Sequence, residues 1–264
     1  MIEEKKKINK SLLIFTHYNV GFIPKVVEEY IQELSTYVDD VVLSTNYKGP
    51  YDLPYILFST PNKGYDFGFF YKVFKKMKNK NYDRIVFAND SNVLVGKFDK
   101  IFNWSLKNKM DVWGLTDSYE CRPESKTNYC YHLQSHFLVF EKPSIPHLYK
   151  FFDEIKFEKN FLYPQKIDLD LRKKVIINCE FGIAQYMKSK GLRIGARWSV
   201  KDWKHMKGKE INMHFWKWEE LIKDGYPLMK KKILSGVWDT PKKGAEGWSA
   251  LPNPQNKWKY YKNE

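Results

Sequence analysis

The sequence predicts an α/β protein in which a largely parallel central sheet carries helices on both faces. Two observations lead to this fold class. Short apolar runs with strand character alternate along the chain with segments whose apolar residues recur at helical spacing, and the hydrophobic fraction of 43% is ordinary for a globular protein. Strands that alternate with helices are typical of parallel sheets, since each crossover places a helix against one face.

Seven strands are predicted from runs of apolar residues. The first is SLLIFTHYN at 11–19, which has the character of a buried strand. The other strands are predicted at 39–46, 55–60, 83–90, 111–117, 132–142 and 193–200.

Helices are predicted where apolar residues recur every three to four positions. Pro24 is placed to open the first helix, because its fixed φ suits the first helical turn, and VVEEYIQEL continues it. Residues 158–178 are predicted to form a loop with a short insert. Residues 212–234 are predicted to form two helical stretches that part near Gly225 and Pro227. The remaining helices are predicted at 67–79, 98–109, 145–157 and 179–191.

The chain is predicted to form one main domain. Its 264 residues suffice for one sizeable α/β domain or two small ones, and no repeat or linker divides residues 1–235. Residues 236–264 are rich in Lys, Pro, Gly and Trp. They are predicted to form an irregular tail that packs on the domain through Trp238, Trp248 and Trp258.

The formal net charge of +14 indicates a polyanionic partner, such as nucleic acid, an acidic membrane surface or a phosphate-bearing substrate. A well-solvated surface rich in lysine explains the same excess. No zinc-finger spacing, RNP motif or arginine-rich helix is present, so nucleic acid is not expected as a partner. The three lysines at 230–232 suit a cationic helix end, and such a segment also binds anionic lipid headgroups.

The cysteines and the apolar runs bear on localisation. Cys121, Cys130 and Cys179 cannot all pair and show no metal-binding spacing, which fits a reducing, cytoplasmic setting. The apolar run SLLIF is too short for a signal-peptide core or a membrane span, and no later segment is long enough to cross a bilayer. Membrane contact is therefore expected only as peripheral contact at the inner face of the plasma membrane.

Polar residues follow two of the predicted strands. Asn89, Asp90 and Ser91 end the run DRIVFANDS, and His17 and Asn19 end the first strand. Open α/β sheets bind ligands beyond the carboxyl ends of their strands, so these residues are candidates for substrate contacts. A carboxylate at position 90 can bind a ribose hydroxyl or a divalent cation that bridges two phosphates. The alternative is that Asp90 only caps the following turn.

The segment NKGYDFG at 62–68 precedes a predicted helix. Its glycines, Gly64 among them, permit tight turns and the close approach of a ligand. Asp66 either caps the helix or binds a nucleotide base or ribose, and the two roles are compatible. The spacing is not GxGxxG, so no dinucleotide site is predicted.

Four further residues are candidates on chemical grounds. His132 and Gln134 belong to a polar cluster that opens a predicted strand, although a lone histidine is more often structural than catalytic. Glu180, predicted at a helix start, is either stabilised there by the helix dipole or serves as a general base. His214 is a candidate ligand for a metal or a phosphate. The absence of GxSxG, P-loop and HExxH motifs disfavours serine hydrolases, nucleoside triphosphatases and zinc proteases.

Several of these segments together resemble one family. The chain is similar to the rhamnan-synthesis F family of polysaccharide-assembly proteins, which look like glycosyltransferases. The resemblance does not cover residues after about 236. The matching stretches are HYN (17–19), NKGYDFG (62–68), FANDS (87–91), DVWGLTDS (111–118), HLQSHFLVF (132–140), CEFGIAQYMKSKG (179–191) and NMHFWKWEELIKDGYPLMKKKIL (212–234).

The resemblance implies a GT-A-like nucleotide-sugar fold. It also implies transfer of a sugar, often a deoxyhexose such as rhamnose, to a growing cell-surface glycan. Asn89-Asp90-Ser91 stands where better-known GT-A enzymes carry Asp-x-Asp, and Ser91 departs from that pattern because it supplies no second carboxylate. Binding of Mg²⁺ or Mn²⁺ by Asp90 and His214 is an expectation that this departure weakens.

The resulting hypothesis is a glycosyltransferase that takes a sugar from a nucleoside-diphosphate sugar and passes it to a glycan or lipid-linked acceptor by single displacement. Glu180 is the expected base, and Asp90 is expected to neutralise the leaving diphosphate, directly or through a metal ion. The alternatives are a non-catalytic nucleotide-sugar or glycan-binding protein and a membrane-recruited scaffold of polysaccharide assembly. Substrate contacts are expected from His17, Asn19, Gly64, Asp66, Asn89, Ser91, His132 and Gln134.

Overall fold

The computed structural model describes residues 10–18, 22–50, 52–119, 131–164, 170–203 and 213–234. The strands are β1 (Ser11–His17), β2 (Asp40–Thr45), β3 (Ile56–Ser59), β4 (Arg84–Asn89), β5 (Asn92–Leu94), β6 (Val112–Ser118), β7 (His132–Leu133), β8 (Phe137–Glu141), β9 (Ile194–Trp198) and β10 (Leu228–Lys230). The helices are α1 (Lys25–Ser35), α2 (Tyr65–Lys76), α3 (Asp99–Asn108), α4 (Ile145–Glu154), α5 (Leu171–Val175), α6 (Gly182–Ser189), α7 (Met213–Trp216), α8 (Trp218–Lys223) and α9 (Lys231–Leu234). A 3₁₀ turn at Lys142–Ser144 and π-helical segments at Glu158–Leu162 and Ile176–Phe181 lie between them.

Eight strands form the central sheet in the order β3-β2-β1-β4-β8-β6-β7, and β9 pairs with β6. Strands β1 to β4 are parallel, β9 is parallel to β6, and β8 runs antiparallel between β4 and β6. The prediction of an α/β fold with a largely parallel sheet is confirmed. The carboxyl ends of β1, β4, β6 and β9 therefore lie at one edge of the sheet, and the antiparallel strand β8 begins at that same edge.

Alternate residues of the buried strands pack on opposite faces of the sheet. Leu13 and Phe15 of β1 join the apolar sides of α1 and α3 on one face, while Leu12 and Ile14 join α2, α4 and α6 on the other. Helices on both faces, as predicted, bury β1 along its whole length. A strand buried on both faces reads as a continuous apolar run rather than an alternating one, which is what the first strand shows.

The prediction of one strand over 132–142 is wrong. A turn at Ser135 and His136 divides the segment into β7, which pairs with the end of β6, and β8, which pairs with β4 and with the start of β6. Gln134, the first residue after β7, makes two hydrogen bonds with Thr116 of β6. Its backbone N–H donates to the Thr116 carbonyl at 3.0 Å, and its Oε1 accepts from the Thr116 hydroxyl at 2.7 Å.

The prediction of two helical stretches in 212–234 is wrong for the start of the second one, where strand β10 precedes the short helix α9. Helices α7 and α8 occupy the first part of the described segment, but the chain after Gly225 enters strand β10, which pairs antiparallel with β5. Pro227 has no N–H and suits a helix interior poorly. Its carbonyl instead accepts hydrogen bonds from the N–H groups of Val95 and Gly96, at 2.7 and 3.1 Å.

The predicted loop at 158–178 is helical over most of its described residues. α5, the π-helical segment Ile176–Phe181 and α6 form one continuous run from Leu171 to Ser189. Glu180 lies within that π-helical segment, so its predicted place at a helix start, where the helix dipole would act on it, is wrong. Helical turns of this kind occur frequently at functional sites, because they re-aim side chains.

Some predictions fall on residues outside the described ranges: Asn19, Cys121, Cys130 and the tail at 236–264. Cys179 is buried with a free thiol, and burial raises the pKa of that thiol well above its ordinary value. Within the described part of the chain, no helix is long and apolar enough to cross a bilayer. The extent of the domain, 1–235, stays a prediction.

Gly68 in α2 is the position where the fold depends most directly on the absence of a side chain. A Cβ there would lie 1.7 Å from the carbonyl oxygen of Lys63, which is backbone and cannot move aside. We expect Gly68→Ala to lower the free energy of unfolding by about 2 kcal/mol or more, since overpacking forces the backbone to shift. Urea unfolding followed by circular dichroism measures this loss.

Gly182→Ala is the matched control, because Gly182 also lies in a helix but a Cβ there would meet its nearest atom at an ordinary 3.6 Å. Replacing a helical glycine by alanine stabilises a helix by about 0.5–1 kcal/mol. Gly182→Ala is therefore expected to leave the urea midpoint unchanged or to raise it. Equal urea midpoints for the two variants would contradict the expected clash between a Cβ at position 68 and the Lys63 carbonyl oxygen.

Candidate active site

The ends of β1 and β4 meet at the carboxyl edge of the sheet. Thr16 and Asn89 are paired across these parallel strands, and the backbone N–H of Asp90 donates to the Thr16 carbonyl at 3.2 Å. The side chains of His17 and Asp90 therefore leave neighbouring strands at the same level. The two strand ends whose polar residues the sequence singled out are therefore neighbours in the sheet.

Asp90 is the centre of an ion-pair network. Its Oδ2 lies 2.6 Å from Nδ1 of His17 and 3.2 Å from Nζ of Lys231. Burial by itself would raise the pKa of Asp90, but the hydrogen bonds and charges of His17 and Lys231 outweigh it and hold that pKa below its ordinary value. Because an ionised carboxylate only accepts hydrogen bonds, His17 Nδ1 carries the hydrogen that it shares with Asp90. The Asp90 side chain keeps 19% of its surface exposed, so a ligand can reach it.

Asp66 lies in the first turn of α2, facing the ends of both strands. Its Oδ2 accepts a hydrogen bond from Asn89 Nδ2 at 2.9 Å, and its Oδ1 accepts one from the Thr16 hydroxyl at 3.5 Å. Burial, followed by the charges of Asp90 and Glu180, raises the pKa of Asp66 to about 7, against the lowering effect of Asn89 and Thr16. The alternative that Asp66 caps its helix is not borne out, since α2 has no side-chain capping hydrogen bond.

The turn after β4 is held by Asn89 rather than by Asp90. Asn89 Oδ1 accepts hydrogen bonds from the backbone N–H of Ser91 at 3.1 Å and from its hydroxyl at 2.6 Å. This is the side-chain-to-backbone pattern by which asparagine stabilises a tight turn. The turn-capping role that the sequence offered as the alternative for Asp90 is thus performed by its neighbour, and the Asp90 carboxylate is directed to His17 and Lys231.

The turn between β7 and β8 brings Glu180 to the same edge. The backbone N–H of Ser135 donates to Glu180 Oε1 at 3.1 Å, and the His136 carbonyl accepts from the Asn89 N–H at 3.3 Å. The same turn therefore touches the π-helical segment and the end of β4. Glu180 is half-buried, and its charge acts on Asp66, so Asp66, Asp90 and Glu180 form one electrostatic cluster.

Two histidines share a buried tyrosine behind this cluster. Nε2 of His136 lies 2.8 Å from the hydroxyl of Tyr226, Nε2 of His214 hydrogen-bonds the same hydroxyl, and the two imidazole centroids are 4.2 Å apart. Burial, with the charge of Lys230, lowers the pKa of both histidines well below the ordinary value, and His136 adds to the effect on His214. Both rings are therefore neutral near pH 7. Tyr226 was not singled out from the sequence, where GYP shows only a turn.

The remaining predicted substrate contacts are of three kinds. His132 is buried and stacks on Phe181 with ring centroids 4.1 Å apart. Gln134 is buried and hydrogen-bonds Thr116, so both side chains pack inside the fold. His17 is 2% exposed, and its Nε2 has no hydrogen-bond partner among the described residues. Gly64 adopts a left-handed φ of 77° ahead of α2 and borders a cavity. Their substrate roles stay predictions.

The cavity beside Gly64 has a volume of about 470 Å³. Residues 62–65 line one side, and residues 161–164 with Leu171 line the other. Tyr65 and Tyr163 expose 41% and 56% of their surfaces, and Lys63 lies 4.7 Å from the Tyr163 ring centroid. A cavity bordered by two exposed tyrosine side chains suits a planar or sugar-like group.

The atoms around Asp90 do not fit a divalent cation. Asp90 Oδ2 already faces His17 and Lys231, and His214 Nε2 is engaged by Tyr226. Across the part of the chain that the structure describes, no group of three or more His, Cys, Asp or Glu side chains is arranged to hold a metal ion. The metal role predicted for Asp90 and His214 stays a prediction that this geometry does not favour. The positive group that contacts Asp90 is the ammonium of Lys231. In the sequence, Lys231 belonged only to the basic segment at 230–232.

Two solved structures share distant similarity with this chain. CMP:2-keto-3-deoxy-manno-octonic acid synthetase complexed with CTP is 8% identical, with a TM-score of 0.40 over 72% of this chain and 90% of that one. The 4-diphosphocytidyl-2C-methyl-D-erythritol synthase of Anaerococcus prevotii is 12% identical, with a TM-score of 0.37 over 71% of this chain and 87% of that one.

Sequence comparison is more informative. Virulence protein VirA of Vibrio anguillarum is 25% identical over 203 residues, which are 66% of this chain and 60% of VirA. The chain thus spans less than two thirds of the length of this curated relative. The sequence model of the family described as rhamnan synthesis protein F matches residues 24–243, which is most of the chain. The chain belongs to the rhamnan synthesis protein F family.

Proposed function

We propose that the protein is a glycosyltransferase that moves a sugar from a nucleoside-diphosphate sugar to a growing cell-surface polysaccharide or lipid-linked glycan. Membership of the rhamnan synthesis protein F family supports a role in polysaccharide synthesis. The meeting of Asp66, Asp90 and Glu180 at the carboxyl edge of the sheet is the observation that carries the proposal.

The donor nucleotide is assigned to the ends of β1 and β4. Open α/β sheets bind ligands beyond the carboxyl ends of their strands, and Thr16, Asn89 and Asp90 stand there. Asp66, held by Asn89 and Thr16, is suited to accept hydrogen bonds from ribose hydroxyls. The diphosphate then lies near Asp90 and Lys231, where a positive charge is already in place.

The transfer step is a single displacement at the anomeric carbon. An acceptor hydroxyl forms a bond to that carbon as the bond to the β-phosphate oxygen breaks, and the electron pair leaves with the nucleoside diphosphate. The Glu180 carboxylate takes the acceptor proton, and the Ser135 N–H that donates to Oε1 orients that carboxylate. Attack opposite the leaving group inverts the configuration. The donor sugar is proposed to be a deoxyhexose such as rhamnose.

The setting proposed for this reaction is the cytoplasmic face of the membrane. A lipid-linked or growing acceptor is presented there, and a net charge of +14 favours contact with anionic headgroups.

The proposal is tested by incubating the protein with a panel of nucleoside-diphosphate sugars and a lipid-linked or oligosaccharide acceptor. Acceptor-dependent release of nucleoside diphosphate supports it. Binding of a donor with no release in the presence of any acceptor would favour a non-catalytic binding protein.

Glu180→Gln is expected to lower turnover by about 100-fold or more while donor affinity stays near the wild-type value. The amide keeps the hydrogen bond from Ser135 but takes no proton, and positioned general bases typically contribute 10²–10⁴-fold. Steady-state release of nucleoside diphosphate gives the turnover, and calorimetry gives the affinity. Turnover within a few-fold of wild type would remove Glu180 from the role of base. Glu219→Gln, on the half-buried surface of α8, is the control.

Asp66→Asn is expected to stabilise the protein at pH 8 and to weaken donor binding. The folded state raises the pKa of Asp66 from 3.8 to about 7, so the stability that this group contributes is complete below about pH 4 and is lost as the pH rises to about 7. The amide mimics the protonated acid and removes this loss. The melting temperature of the variant should exceed that of wild type by about 3 °C or more at pH 8 and match it at pH 4.

Asp99→Asn is the control for this prediction, because Asp99 also lies in the first turn of a helix, α3, but is exposed. Its melting temperature is expected to follow wild type at both pH values. A destabilised Asp66→Asn protein at pH 8 would show that the Asp66 carboxylate is not repelled by its neighbours. Unchanged donor affinity in Asp66→Asn would remove Asp66 from the donor site.

A further inference from the structure

Lys231 is held over the tip of β4 by both its backbone and its side chain. Its backbone N–H donates to the Ser91 carbonyl at 3.1 Å, and its Nζ donates to Asp90 Oδ2 at 3.2 Å. The preceding residue, Lys230, is paired with Asn92 in the two-stranded sheet of β5 and β10. Lys231 is the first residue of α9, and both its backbone and its side chain are hydrogen-bonded. Its ammonium group is therefore positioned more precisely than that of a surface lysine.

The ammonium group lies where the proposed reaction places its leaving group. The Lys231 side chain is 26% exposed and the Asp90 side chain 19%, so the pair forms part of an accessible surface. The ammonium group of lysine carries a full positive charge, and in Lys231 it lies 3.2 Å from Asp90 Oδ2. Lysine is a common partner of phosphate oxygens, acting as a compact point charge.

We propose that Lys231, held by Asp90, is the catalytic cation that neutralises the departing diphosphate, so that the transfer needs no divalent metal ion. This inference rests on the proposed glycosyltransferase function. It explains why Asn89-Asp90-Ser91 has one carboxylate where a metal-binding Asp-x-Asp would have two. In this site the single carboxylate holds an ammonium group instead of a metal ion.

The charge balance of the step is complete with this arrangement. When the bond between the anomeric carbon and the β-phosphate oxygen breaks, that oxygen keeps the electron pair and the nucleoside diphosphate gains one negative charge. The acceptor proton goes to Glu180, and Lys231 stays protonated throughout. A preorganised cation beside an oxygen that gains charge stabilises the transition state more than the ground state.

The first test is nucleoside diphosphate binding measured by calorimetry, with UDP, dTDP, GDP and CDP as the probes, in excess EDTA and then with Mn²⁺ or Mg²⁺. Wild type is expected to bind at least one probe equally in both conditions. Lys231→Met is expected to weaken that binding about tenfold or more, and Lys231→Arg to recover part of it. Lys232→Met, which changes the exposed neighbour, is expected to bind as wild type does.

The second test separates a phosphate-binding lysine from one that only balances the charge of Asp90. Asp90→Asn removes the negative charge that Lys231 balances, and it is expected to bind the probe about tenfold or more tightly than a variant that also lacks the ammonium group. The double variant Asp90→Asn/Lys231→Met is expected to bind as weakly as Lys231→Met alone. Equal affinities for Asp90→Asn and the double variant would overturn the proposal, and circular dichroism checks that each variant is folded.

The outcomes also separate this inference from the proposed function. Binding or sugar transfer that appears only with Mn²⁺ or Mg²⁺ overturns the role of Lys231 and leaves the glycosyltransferase proposal standing. A Lys231→Met protein that binds as tightly as Lys232→Met overturns the same role. Failure of every probe and every donor sugar to bind, with or without metal, overturns the glycosyltransferase proposal and this inference with it.

Discussion

The ion pairs of Asp90 are the interaction on which the rest of the site depends. Asp66, Asp90 and Glu180 lie within electrostatic reach of one another, and burial makes the repulsion between ionised carboxylates costly. His17 and Lys231 hold Asp90 in its charged form, while Asp66 keeps its proton up to about pH 7. The repulsion between Asp66 and Asp90 is tolerated because Asp66 is protonated below about pH 7 and Asp90 is paired with His17 and Lys231. The same contacts tie α9 to the ends of β1 and β4.

The turn at Ser135 and His136 explains how groups from distant parts of the chain reach this cluster. An antiparallel β8 between parallel strands returns the chain to the carboxyl edge, so the backbone there can bind both Asn89 and Glu180. The imidazole of His136 continues the network into the buried Tyr226 hydroxyl. The turn therefore links the proposed donor side, at Asn89, to the proposed base, Glu180.

The sequence predicted those parts of the site that local pattern determines. The apolar runs placed Asn89 and Asp90 at a strand end, and the predicted starts of two helices singled out Asp66 and Glu180. The sequence did not predict which side chains contact one another, because the contacting residues are far apart along the chain. Asp90 and Lys231 are 141 positions apart, and His136 and Tyr226 are 90 positions apart. Strand β10 was not predicted for the same reason. Its three residues are too few to show a pattern of alternating hydrophobicity, and their extended conformation comes from pairing with β5. The register of long-range contacts leaves no local signal.

Asp66 gives an independent physical reason to regard the cluster as a binding site. An asparagine at this position could keep the contacts with Asn89 and Thr16 and would avoid repulsion by Asp90 and Glu180. The carboxylate therefore costs stability above about pH 7, where it is ionised. Groups held in unfavourable charge states are concentrated at functional sites, where a ligand offsets the cost. A ribose hydroxyl would donate to Asp66 most strongly when the carboxylate is ionised. Ligand binding would then stabilise the same ionised carboxylate that lowers the free energy of unfolding.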